Sequence, residues 1–241
     1  MLILPLADVV TAFNTSNWLS GKLIVLLLVA ASVVAWSVMV SKYKDLKLAQ
    51  LASRKFRDAF RQENHPLAVF LRRQAYPASP LFKVYEAGCV AIGGELMHGR
   101  AHSQDLFSVE EVERLRLTPL QIEVVRRATE RTVADQALVL ESRMGWLATA
   151  VSASPMLGLL GTVWGVLDAF GAMALSGAAT LSAVAPGISG ALLTTVVGLL
   201  VAIPSAIGYN VLTNRIRELA VQMDNFAQEF VAELQRTFLE G

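Results

Sequence analysis

The sequence predicts an all-α membrane protein: three transmembrane helices with long cytoplasmic helical extensions. Three observations carry this. The 241-residue chain is 54% hydrophobic and only 17% charged, where a soluble domain carries about 25% charge. The missing charge is confined to two blocks, Leu23–Val40 and Met144–Asn214, the second holding a single formal charge, Asp168. No stretch of useful length alternates as a strand does, whereas apolar residues recur at helical spacing along most of the chain.

Segment 1–18 is an N-terminal stretch on the far side of the membrane. Leu6, Val9, Val10 and Phe13 follow Pro5 at helical spacing, which fits either an interfacial helix or a frayed end. Segment 19–41 is the first span. Its eighteen-residue uncharged core is near the lower limit for crossing, and Trp18 and Trp36 sit near its two interfaces. The preceding stretch is not basic, and Ser41-Lys42-Tyr43-Lys44 follows at once. That is the flank of a retained span rather than of a cleaved signal.

Segment 42–143 is a cytoplasmic helical region. The first helix continues to Gln62 and ends before Pro66, because a residue preceding proline is pushed out of the α region. A short helix over 66–74, a break at Pro77–Pro80 and a helix over 81–97 follow. A polar loop over 99–107 comes next. Ser108 with Glu111 and Thr118 with Gln121 fit capping boxes, and Pro119 occupies a first helical position. From there Ile122, Val125, Thr129, Val133, Ala137, Leu140 and Met144 mark one face with no breaker. One helix is therefore expected from Pro119 through the second span to about Ala174, roughly 80 Å long.

Segment 144–175 is the second span and 176–184 an uncharged connection. Segment 185–211 is the third span, and 212–241 is a cytoplasmic C-terminal helix. Leu212, Ile216, Leu219, Met223, Phe226 and Phe230 form a heptad-like seam on it. The seam is expected to pack on this chain's own Pro119–Met144 helix, with self-association as the alternative. Basic residues follow the first span and flank the other two at Arg143, Arg215 and Arg217. The positive-inside rule puts the middle region and the C-terminus in the cytoplasm.

The second and third spans are rich in small residues. Gly158, Gly161 and Gly165 share one face; Gly187, Ala191 and Gly198 share another. Bare backbone of this kind lets membrane helices approach closely. Pro155 and Pro204 are expected to kink their helices. Thr162, Thr194 and Thr195 lie on or beside these faces. A membrane threonine ordinarily bonds its own i−4 carbonyl, but threonines on facing small-residue stripes can also line a polar path. Asp168 is an ion-transfer candidate as an intramembrane carboxylate, or an interfacial carboxylate, since it falls near the outer end of its helix.

Other chemistry has no support. Cys89 is the single cysteine, so no internal disulfide or cysteine-based metal site forms. His98 and His102 are separated by Gly99 in a polar stretch and suit solvated side chains better than a metal. No nucleophile–base set is legible, no cofactor is expected, and a net charge of +1 gives no reason to expect nucleic acid. The partners implied are the lipid bilayer and other helices.

The run Ala153-Ser154-Pro155-Met156-Leu157-Gly158-Leu159-Leu160-Gly161-Thr162-Val163-Trp164-Gly165 resembles a signature of the TolQ/ExbB/MotA family. Val184-Ala185-Pro186-Gly187-Ile188, with Ala191-Leu192-Leu193-Thr194-Thr195 and Gly198 to Pro204, resembles its second signature. The first span with Trp36, and the tail from Tyr209-Asn210 through Glu229-Phe230, resemble the TolQ branch more than the ExbB branch. The resemblance implies a bacterial inner-membrane subunit, periplasmic at its N-terminus. It implies a homopentamer around a single-span partner of TolR or ExbD type, whose membrane aspartate takes and releases protons. Thr162 and Thr195 would face that path. The motor would energise a periplasm-spanning TolA-like protein for envelope maintenance. The alternatives are an ExbB role in TonB-dependent uptake, or a non-conducting scaffold. Relatives commonly carry a glutamate where this chain has Gly190, so the resemblance leaves proton coupling to the partner's aspartate and the choice of proton or sodium open.

Overall fold

The computed structural model describes residues 19–63, 65–96, 116–176 and 181–238. The six helices among them are α1 (Leu19–Gln62), α2 (Ala68–Leu71), α3 (Pro80–Leu96), α4 (Pro119–Glu141), α5 (Met144–Ser176) and α6 (Leu181–Phe238). Three of these, α1, α5 and α6, are long and apolar enough to cross a membrane. The N-terminal stretch, the Ser108 capping box, His98, His102 and residues 177–180 of the connection lie outside the described residues.

The chain divides into two compact units. Among the described residues, the first contains 19–41, 143–176 and 181–212. Here α5 and α6 run antiparallel: Gly187 faces Ala169, Gly161 faces Thr194, and Gly198 faces Ser154 and Gly158. The register follows from the small residues. A Cβ on Gly198 would lie 2.6 Å from the Ser154 carbonyl oxygen, and one on Gly158 would lie 3.0 Å from the Thr194 carbonyl oxygen. Backbone is met by backbone, so these positions have no side chain that can yield. α1 joins the pair through Ile24 and Leu28, which pack with Val201, Val197 and Leu157, and through Met39, which lies against Gly208.

Among the described residues, the second unit contains 42–63, 65–96, 116–142 and 213–238. Its core is aromatic. Phe56, fully buried, has the rings of Phe60, Tyr76, Phe82, Tyr85 and Phe226 around it, with centroids 5.3 to 6.2 Å apart. Ile122 and Val125 of α4 close the same cluster. The α6 seam points inward: Met223, Phe226 and Phe230 are in this core with Phe56, Phe60 and Tyr85 as well as with α4. Gly88 of α3 leaves room for the Phe230 ring, to which a Cβ there would come within 2.6 Å.

Local signals explain the helix ends. α1 stops at Gln62, ahead of Pro66. The segment after it is less helical than expected: only Ala68–Leu71 forms a helix, and Arg73 adopts φ 54°. α4 starts with a full capping box. The Gln121 N–H donates to Thr118 Oγ1 at 3.3 Å, and the Thr118 N–H donates to Gln121 Oε1 at 2.9 Å.

The expectation of one unbroken helix from Pro119 to Ala174 is corrected. α4 ends at Glu141 and α5 begins at Met144. Between them the Ser142 N–H turns back to the Val139 carbonyl at 3.3 Å, and Arg143 takes a left-handed φ of 67°. That conformation costs a residue other than glycine roughly 1–2 kcal/mol. No glycine or proline lies between Leu120 and Met144 to mark the break.

A threonine cluster between two glycine-rich helices

The side chains of Thr162, Thr194 and Thr195 converge on two backbone carbonyls where α5 meets α6. Gly158 and Ala191 supply them. Thr162 Oγ1 is 3.2 Å from its own i−4 carbonyl at Gly158, and 3.2 Å from the Ala191 carbonyl across the interface. Thr195 Oγ1 reaches the Gly158 carbonyl from the other helix at 3.1 Å and is hydrogen-bonded to Thr162 Oγ1. Thr194 Oγ1 lies 2.7 Å from the Ala191 carbonyl and 3.0 Å from that of Gly158. Each hydroxyl has one proton to donate and accepts with its lone pairs, so the three share the two carbonyls and one another.

The small residues make this arrangement possible. Gly158 has no side chain to cover its carbonyl, and Gly161 leaves the space that Thr194 fills. The i−4 bond that sequence alone suggests for Thr162 is present, but it is one contact of several. Burial separates the three threonines. Thr194 is 1% exposed and enclosed by the helix pair, whereas Thr162 and Thr195 are half-buried at the edge of the contact. The hydroxyls of Thr162 and Thr195 are therefore accessible from the edge of the pair, and that of Thr194 is not.

The remaining candidates fall elsewhere. Gly165 is buried, in line with Gly158 and Gly161. Asp168 is exposed and lies roughly 120° around α5 from Thr162, so the fold does not bring it to the threonines. Gly190 is buried. Its position on α6 is in helical phase with Val197 and Val201, which meet Ile24 and Leu28 of α1. It lies roughly 140° from Thr195. Pro155 and Pro204 lie inside continuous helices. Ser154, buried beside Gly198, has no hydrogen-bond partner for its hydroxyl among the described residues, and nothing in the structure explains it. No cluster of three or more metal-ligating side chains occurs among the described residues.

The cluster's chemistry is that of neutral oxygen. Three hydroxyls and two carbonyls can relay a proton along hydrogen bonds or lend oxygens to a passing cation. None of the five groups titrates near neutral pH, so the cluster itself cannot store a proton.

Comparison with known proteins places the chain in a family. Residues 102–225, which include the whole cluster, match the MotA/TolQ/ExbB proton channel family. The chain is 34% identical to the Tol-Pal system protein TolQ of Haemophilus influenzae over 89% of each chain. It is 33% identical to that of Pseudomonas aeruginosa over 89% of this chain and 87% of the relative. It is 30% identical to the biopolymer transport protein ExbB of Pseudomonas putida, over 89% of this chain and 60% of that one. The chain belongs to the MotA/TolQ/ExbB proton channel family.

Proposed function

We propose that this chain is the TolQ-type subunit of an ion-driven motor in a bacterial inner membrane. Its N-terminus is periplasmic, its C-terminus cytoplasmic, and it works as a homopentamer around a single-span partner of TolR type. The observation that carries this reading is the hydroxyl cluster at the α5–α6 edge. It provides polar oxygen within apolar helices and no titrating group. The partner's membrane carboxylate therefore holds the proton, and Thr162 and Thr195 hand it along the sleeve. The motor energises a periplasm-spanning protein of TolA type for maintenance of the cell envelope.

The length match favours a TolQ role over an ExbB role. The TolQ of Haemophilus influenzae is covered over 89% of its length at 34% identity, the ExbB of Pseudomonas putida over 60% at 30% and that of Salmonella typhimurium over 79% at 28%. The test is selective assembly. The chain is co-expressed with a TolR-type or an ExbD-type partner, purified, and reconstituted in liposomes with an imposed proton gradient. The expected result is a stable complex and proton uptake with the TolR-type partner. A stable, conducting complex with the ExbD-type partner alone assigns the chain to TonB-dependent uptake. A stable complex that passes neither proton nor sodium makes it a scaffold.

A further inference from the structure

Lys42 is the only charged side chain among the described residues that is buried, at 7% exposure. A buried ammonium is costly unless its donors are matched. Here three acceptors face it: the Leu140 carbonyl at 3.0 Å, Ser142 Oγ at 3.1 Å and the Val139 carbonyl at 3.4 Å. All three belong to the C-terminal end of α4, where carbonyls lack intrahelical partners and the helix dipole is negative.

A helix that continued past Glu141 would give the Val139 and Leu140 carbonyls to the N–H groups of Arg143 and Met144. The ammonium takes the same two carbonyls. Lysine capping and helix continuation therefore compete, and the sequence between Leu120 and Met144 favours continuation, since it holds neither glycine nor proline. The position that does break is occupied by Arg143 at φ 67°, a conformation that glycine usually supplies at a helix end. An interaction from elsewhere has to hold it there. The residue next to Lys42 on α1 is held to α6: the Arg215 guanidinium lies over the Tyr43 ring, 4.7 Å from its centroid.

We propose that Lys42 is a positioning residue that ends α4 and so keeps Pro119–Ser176 as two helices with a joint at Ser142-Arg143. Ser142 contributes from within the segment, its N–H and hydroxyl donating to the Val139 carbonyl at 3.3 and 2.7 Å, but the Leu140 carbonyl is held by a side chain on a different helix. This inference does not depend on the ion path, and its readout is independent of conduction.

The test is amide hydrogen exchange over residues 139–149 in the full-length protein, embedded in lipid nanodiscs. Arg143 in the break, and Met144 and Gly145 as the first residues of α5, lack i−4 acceptors for their N–H groups. In Lys42→Met these amides gain them, and exchange slows by about tenfold or more. Lys42→Arg keeps a cation at the helix end and leaves exchange as in the native chain. Lys42→Met/Arg143→Gly removes the cost of the left-handed residue and restores fast exchange. Unchanged exchange in Lys42→Met overturns the proposal. If Lys42→Met does not fold, the double variant decides. A folded double variant with fast exchange supports the proposal, and one that also fails to fold overturns it by giving Lys42 a general structural role.

Discussion

In the apolar unit the closest approaches between helices are made by residues with little or no side chain: Gly158 and Gly198 meet backbone, and Gly161 meets a threonine. In the other unit the contacts are made by rings, with Phe56 inside a shell of five aromatics. The difference follows from the solvent each unit is built for. Where water surrounds the helices, burying large apolar area drives packing. Where lipid does, apolar area gains nothing by leaving it, so helices associate through close van der Waals contact and interhelical hydrogen bonds. The same closeness that packs α5 on α6 brings the carbonyls of Gly158 and Ala191 within reach of hydroxyls from both helices. In this chain the packing device and the hydroxyl cluster are one structure.

Substitutions can break each half of the comparison in turn. Phe56→Ala empties the centre of the aromatic core and should cost about 3–5 kcal/mol, read as a lowered midpoint in chemical denaturation. Gly198→Ala adds a methyl 2.6 Å from a backbone carbonyl. Backbone cannot step aside as a side chain can, so α5 and α6 must separate, at about 1–3 kcal/mol. Thermal melting in detergent should show that loss. Gly171→Ala is its control: a Cβ there meets nothing within 4 Å, and melting should be unchanged or slightly raised, since alanine is the better helix former. Equal loss in the two glycine variants would contradict the close-packing account.

How much of this could be read from the sequence differs between the two units. The spans, the glycine faces and the Thr118 cap are written in local patterns: an apolar run, a spacing of four, a threonine three residues before a glutamine. The break at Ser142-Arg143 is not. The apolar face continues in phase through it, and the residue that caps it is Lys42, distant in sequence and joined only by the fold. The α6 seam gave away its face but only part of its partners, because Phe56, Phe60 and Tyr85 come from α1 and α3. Thr194 and Thr195 look alike on paper. They are separated by a rotation of about 100°, which encloses one and leaves the other at the edge.

A smaller effect concerns pH. Burial lowers the pKa of His65 below the ordinary imidazole value, and its Nδ1 accepts the Leu67 N–H at 3.2 Å. The folded state therefore prefers the neutral ring. Its contribution to stability is fully present above the unfolded value of about 6.5 and is lost as pH falls through the lower folded value. Denaturation midpoints should decline on acidification through that window, and His65→Asn should flatten this part of the profile. A profile unchanged by the substitution would assign the decline to other groups.

The central claim is that the half-buried threonines, and not the enclosed one, serve ion flow. The direct measurement is proton uptake by liposomes holding the complex of this chain with its single-span partner, under an imposed gradient. Thr162→Val, Thr195→Val and Thr194→Val, which keep side-chain shape and remove the hydroxyl, are compared at equal complex content. The account predicts that flux falls about tenfold or more in the first two and stays near the native level in the third. Native flux in both Thr162→Val and Thr195→Val would contradict it.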